Sequence, residues 1–195
     1  MMTQEITIFC TNWLEKAKAY DYSTLQGAFD KFFTLFVVYN RLYVEATFRM
    51  SNNNAITLTL SNRTSFPDDK AAKVYSLQYL TSTRLNEAFN NSNECLNAIE
   101  TLKTIIRENK FNIKLDMVLG TPLRQKDLDL LKTLESTHTD NKMKAITDIL
   151  YSIRCNTFHG QKGYENSQIE LLQPVCILLE KIIELLFLKL TDEIQ

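Results

Sequence analysis

Apolar residues recur at helical spacing along most of this chain, beginning with Ile6, Phe9, Cys10, Trp13, Leu14 and Ala17. Steps of three and four place those side chains on one face, so a helix is expected over residues 3–19. A longer helix is expected from about Thr24 to Met50, where Phe29, Phe32, Phe33, Phe36, Val37, Leu42, Tyr43 and Ala46 form a broad aromatic face. That helix should be central, because apolar side chains cover much of its circumference. Ser51-Asn52-Asn53-Asn54 ends it. Residues 56–60 alternate apolar residues with threonine as a short strand would, whereas 62–69 is turn-like, and 51–69 reads as a variable excursion.

Pro67 and Asp68 suit the start of a helix running to about Ala88. Ser92-Asn93-Glu94 opens another, which carries Leu96, Ile99, Leu102, Ile105 and Ile106. Residues 109–122 show no clear period, and a short helix is expected across 125–134. A helix from about Asp140 to Phe158 has the stripe Met143, Ile146, Ile149, Leu150, Ile153 and Thr157, and Gly160 stops it. Residues 160–167 form a loop. Pro174 implies that the last helix is kinked or begins properly only near Gln173. The expected architecture is all-α, a compact antiparallel helical bundle with the two last helices side by side.

Composition agrees with that picture. Only 4 Gly and 3 Pro occur in 195 residues, too few breakers for many short strands. The length suits one domain, residues 1–195. A net charge of −1 argues against a broad polybasic nucleic-acid surface, but leaves room for a small anion site with a few well-placed cations. The cysteines, Cys10, Cys95, Cys155 and Cys176, lie far apart with no metal-ligand spacing, so reduced thiols and no metal or other cofactor are expected. The N-terminal residues lack the unbroken apolar run of a secretory signal. Glu180, Lys181, Glu184 and Lys189 interrupt the most apolar stretch, so no membrane span and a cytoplasmic location are expected.

Chemistry concentrates in Arg154-Cys-Asn-Thr-Phe-His159-Gly-Gln-Lys162. An imidazole can move a proton near neutral pH, and a guanidinium can grip a phosphate through two parallel hydrogen bonds, so the pair suits phosphodiester chemistry. The plainer reading is a surface helix end whose histidine faces the helix dipole. Five residues advance an ideal helix by about 500°, which sets Arg154 and His159 about 140° apart and makes a self-contained site within one chain awkward. Asp148, Ser152, Cys155 and His159 align in a row, with Arg154 and Tyr151 on the other flank, while Asn156 lies nearer His159 and could orient its ring. Cys155 as a nucleophile is disfavoured by its place near a helix C-terminus. Lys162 reads equally as a second phosphate contact or a solvated loop charge. His138 reads as a loop residue without a catalytic role.

An R-x4-H motif at the end of the penultimate helix of an all-α bundle resembles the HEPN superfamily. The longer string Tyr151-x-x-Arg154-x-Asn156-x-Phe158-His159-Gly160-x-Lys162 carries the resemblance. So does the earlier aromatic helix Phe33-x-x-Phe36-x-x-Tyr39-Asn40-x-x-Tyr43, with an amide at Asn40 placed to brace the motif helix. The resemblance covers roughly residues 20–190. It implies a four-helix core with extra helices, and a metal-independent endoribonuclease whose two motifs face each other across a homodimer cleft. Arg154 would then bind the scissile phosphate, and His159 would transfer protons. Asn156, Lys162, Tyr151 and Asn40 would support them or bind RNA. The resemblance also implies a toxin–antitoxin or phage-defence setting, with an antitoxin or nucleotidyltransferase as partner. Cys155 departs from the polar residue usual after the arginine, which bears on catalytic strength. The other expectation is a non-catalytic HEPN module binding RNA, a nucleotide or a partner protein.

Overall fold

The computed structural model describes residues 2–58, 66–116, 118–158 and 165–192. It is an all-α helical bundle. Helix α1 spans Gln4–Lys18 and α2 spans Leu25–Asn52. Both start on a threonine: the Thr3 hydroxyl accepts from the Ile6 N–H and the Thr24 hydroxyl from the Gly27 N–H at 3.1 Å. Each bond satisfies one of the donors that a helix start leaves open. As its aromatic face predicted, α2 is central, with Phe32, Leu35, Phe36, Val38, Tyr39, Leu42 and Tyr43 buried. It packs chiefly against α1 and the last helix.

Gly27 fixes the approach of the connection that precedes α2. A Cβ there would lie 1.9 Å from the Asp21 carbonyl oxygen, so backbone must move to admit one. Gly to Ala in an open helix gains about 1 kcal/mol. Here the sign should reverse: Gly27→Ala should destabilise by roughly 1–3 kcal/mol, as overpacking does, and thermal denaturation should show a Tm several degrees lower.

The helix expected over 68–88 is broken. Asp68–Lys70 (α3) leads into a π-helical segment, Ala71–Tyr75, then α4 (Ser76–Leu80), and only then α5 (Ser82–Asn90). The break falls at Thr81, whose φ of 71° no α-helix accommodates. Its hydroxyl accepts from the Arg84 N–H and caps α5 instead. The wide π turn is held from both sides. Tyr39 donates to the Ala72 carbonyl, and the Thr147 hydroxyl lies 3.2 Å from the Lys73 carbonyl, one of three carbonyls within its reach.

Helix α6 (Asn93–Arg107) follows, capped by Ser92, and then α7 (Arg124–Leu134), α8 (Thr139–Phe158) and α9 (Gln168–Asp192). Among the described residues, the connection 108–123 holds one antiparallel bridge, Leu115 to Pro122, and the described part of 56–60 forms no strand. Pro174 does not delay the last helix to Gln173. α9 begins at Gln168 and carries Pro174 in its second turn, where Leu171, Leu172, Val175 and Cys176 around it are buried. Burial of those side chains offsets the one backbone hydrogen bond that proline removes. The expected pairing of the two last helices is also corrected. α9 packs against α2 and α6, and α8 against α7, α5 and the π segment. Among the described residues α8 and α9 make little contact, and Ile153, Asn156 and Thr157 face Gln168, Leu171 and Leu172 across a small cavity, while α2 and α6 cover much of α9. No helix among the described residues is long and apolar enough to cross a membrane.

Candidate functional site

Helix α8 presents one side to a cleft of about 430 Å³. Its stripe of Met143, Ile146, Ile149, Leu150 and Ile153 is buried, which turns Asp148, Tyr151, Ser152, Arg154 and Cys155 toward the cleft margin. Arg154 and the Ser152–Cys155 row therefore share a cleft, although an ideal wheel assigns them to separate flanks. The Arg154 guanidinium carbon lies 5.9 Å from the ring centre of Phe36 and 5.8 Å from that of Tyr151. Two ring faces restrict where the cation can point, and each attracts it electrostatically.

Tyr151 is itself fixed. Its hydroxyl donates to one Asp68 oxygen at 3.1 Å, while the Tyr43 hydroxyl donates to the other. Asp68 thus ties α2 to α8 across the start of α3. Burial first, and then the Asp68 carboxylate, pushes both phenols well above the ordinary tyrosine range. Both stay protonated donors at any physiological pH.

Two lysines enter from other elements. Lys73, in the π segment, sits 2.6 Å from Asp69 and 3.4 Å from Asp148. Burial pulls its pKa down, but the bond to Asp69 and the charge of Asp148 outweigh that and raise it, so it remains an ammonium. Lys114, in the α6–α7 connection, donates to Asp148 at 2.6 Å and to the Ser152 hydroxyl at 2.8 Å. Ser152 in turn donates to the Asp148 carbonyl at 2.7 Å. A serine whose proton is engaged and whose lone pair faces an ammonium is a poor nucleophile. Lys73 and Lys114 are both paired with carboxylates, so the cluster is an ion-pair network rather than a serine–lysine dyad.

The backbone around Lys114 is clamped. Fully buried Asp127 accepts from the Ile113 N–H at 3.1 Å and the Lys114 N–H at 2.8 Å. Burial raises its pKa, against the lowering effect of those two bonds and of the Arg124 and Lys114 charges. From the opposite side, Asn156 donates to the Ile113 carbonyl at 2.8 Å. At 4% exposure that amide is committed to the fold, so its part in the cleft is to hold Lys114 in place.

Of the residues singled out from the sequence, Arg154, Tyr151 and Asn156 come together here. Asn40 is half-buried on α2 and does not line the cleft. His159, Gly160 and Lys162 lie outside the described residues. His138 is exposed before α8. Lys73, Lys114, Asp68 and Asp127 escaped the sequence reading. Lys114 meets Asp148 across 34 positions, from a stretch without periodicity, and no local signal marks it. Among the described residues, no three of His, Cys, Asp and Glu gather as metal ligands would. No protein-family model, curated protein or solved structure matches the chain.

The thiols offer a direct check of this geometry. Cys10, Cys95 and Cys176 are buried, and burial pushes their pKa values up, that of Cys10 to about 11. Cys155 alone is half-buried and lines the cleft. Titration of the native protein with a thiol reagent at mild pH should therefore modify one cysteine quickly, and peptide mapping should locate the label at Cys155.

Proposed function

We propose that the chain is an HEPN-like, metal-independent endoribonuclease that works as a homodimer. The observation that carries this reading is the Arg154 guanidinium on a cleft shared with Lys73 and Lys114, five residues before His159. Arg154 has the forked donor geometry that suits a phosphodiester, and the Lys73 and Lys114 ammonium groups, each paired with a carboxylate, lie beside it. The ribose 2′-oxygen attacks the adjacent phosphorus, the new 2′-O–P bond forms, and the P–O5′ bond breaks. One base takes the 2′-hydroxyl proton and one acid supplies a proton to the departing 5′-oxygen. The products are a 2′,3′-cyclic phosphate and a 5′-hydroxyl end. His159 of each subunit serves as base or acid, which is the chemical reason for a two-fold site. A cytoplasmic toxin or phage-defence role, held in check by an antitoxin or nucleotidyltransferase, fits such an activity. The test is RNA cleavage by purified protein in excess chelator. Cleavage by the wild type and its loss in His159→Ala supports the reading, and equal cleavage by both rejects it.

A second reading is a non-catalytic HEPN module that binds RNA, a nucleotide or a partner protein. It is favoured by the carboxylates Asp69 and Asp148, which already hold Lys73 and Lys114, and by Cys155 after the arginine. Oligonucleotide binding without cleavage would select it.

A further inference from the structure

The ion-paired Lys73, Asp148 and Lys114 mark one border of the Arg154 cleft. Lys73, Lys114 and Asp148 also line a second groove, of about 530 Å³, between α8, the π segment and α7. Lys126 of α7 and Lys144 of α8 stand on its walls, and both are exposed. The two grooves together present five cationic side chains against three carboxylates, on a chain whose net charge is −1. Those carboxylates are occupied. Asp69 and Asp148 hold Lys73 and Lys114, and Asp129 accepts from Gln125 at 3.0 Å and faces Lys132 at 3.8 Å. Among the described residues, Lys126 and Lys144 make no ion pair. Lys144, at the start of α8, and Lys126, whose charge also acts on Asp116, therefore carry the positive charge left over in the second groove.

From this we infer that the double groove is a track for the backbone of single-stranded RNA, in which Lys126 and Lys144 bind phosphates remote from the one at Arg154. The inference rests on the proposed ribonuclease reading and extends it from one phosphate to several. From Lys144 to Arg154 the helix rises about 15 Å, farther than one phosphate-to-phosphate step of an extended strand. Lys114 sits at the junction of the grooves, on backbone clamped by Asp127 and Asn156, and hands the strand from one to the other. The groove lysines contact phosphate and not base edges, so the track confers affinity and direction without sequence preference.

The experiment is fluorescence anisotropy with an uncleavable 2′-O-methyl RNA of about eight nucleotides, longer than the track, beside a dinucleotide of the same chemistry. The proteins are the wild type, Lys126→Ala/Lys144→Ala and Arg154→Ala, with a melting curve for each. The double substitution is at exposed positions and leaves the fold intact. It should weaken the longer oligonucleotide roughly tenfold at physiological salt and flatten the log–log salt dependence by about 1.4, the loss of two contacts on a single strand. Dinucleotide binding should not change. An unchanged salt slope in the double variant, with binding still lost in Arg154→Ala, overturns the track and leaves the nuclease reading standing. A flattened slope in a protein that cleaves no RNA supports the track and rejects the nuclease. If polyglutamate displaces the oligonucleotide as well as unlabelled RNA does, the groove is a general polyanion surface and the inference fails. It fails equally if the wild type binds no oligonucleotide.

Discussion

Arg154→Ala is expected to lower RNA cleavage by roughly a hundred- to a thousandfold, the range seen when one preorganised charge-stabilising donor is removed from a transition state. The guanidinium carbon lies 5.9 Å from the Phe36 ring centre and 5.8 Å from that of Tyr151, and Tyr151 is anchored on Asp68, which also receives Tyr43. Little reorganisation is then needed when charge builds on the phosphate. Arg154→Lys keeps the charge but loses the fork, so it should recover only part of the activity while restoring most of the oligonucleotide affinity. His159→Ala should cost roughly 10²–10⁴-fold, as loss of a general acid or base does. The double variant should be little worse than the poorer single one if, as proposed, the two groups act on one step. Removing the guanidinium from two ring faces also costs about 0.5–1 kcal/mol each, so Tm should fall by only a few degrees. Cleavage by Arg154→Ala within twofold of the wild type would remove this residue from the mechanism.

The largest stability effect should come from Asp127→Ala. Two backbone N–H groups that now bond a buried carboxylate would lose their acceptor together, at about 1–3 kcal/mol each for a buried unsatisfied donor. For a chain of this size each kcal/mol moves Tm by roughly 2–4 °C, so a drop on the order of 10 °C is expected in calorimetry. Asp127→Asn keeps one acceptor oxygen but turns an amide N–H toward one of the donors, and should recover less than half of the loss. The same variants should weaken oligonucleotide binding further than stability alone explains, because the clamp also sets the position of Lys114 over Asp148 and Ser152. Full thermal stability in Asp127→Ala would mean that the α6–α7 connection is held by other contacts.

Periodicity carried most of the fold because long helices repeat their burial pattern every turn. The aromatic face of α2 and the stripe of α8 are of this kind, and most of each is buried, with Phe33, Val37 and Thr157 only partly covered. The break at Thr81 was hidden because a single residue at positive φ changes no periodicity, and threonine is an unusual choice there. The partners of α9 were equally hidden, since an apolar face shows that a helix is covered but not by what. At the site, Arg154, Tyr151 and Asn156 were legible as a local string. Lys73, Lys114 and Asp127 were not, because each reaches the cleft through tertiary contacts: Lys73 through a π turn, Lys114 through a clamped connection, and Asp127 through backbone donors 13 and 14 positions away. The wheel separation of Arg154 from the Ser152–Cys155 row also misled, since a long arginine side chain reaches round a helix that a Cα projection treats as a point.

The proposed RNA cleavage by 2′-oxygen attack at the Arg154 cleft can be tested with a matched pair of oligonucleotides. One is RNA throughout; the other has a single 2′-deoxy sugar at the mapped cleavage position. In excess chelator, the wild-type protein should cut the first to a 2′,3′-cyclic phosphate and a 5′-hydroxyl end, read by mass spectrometry, and should leave the second intact at that position. Cutting of the deoxy-substituted strand at the same bond, or a linear 5′-phosphate product, would contradict it.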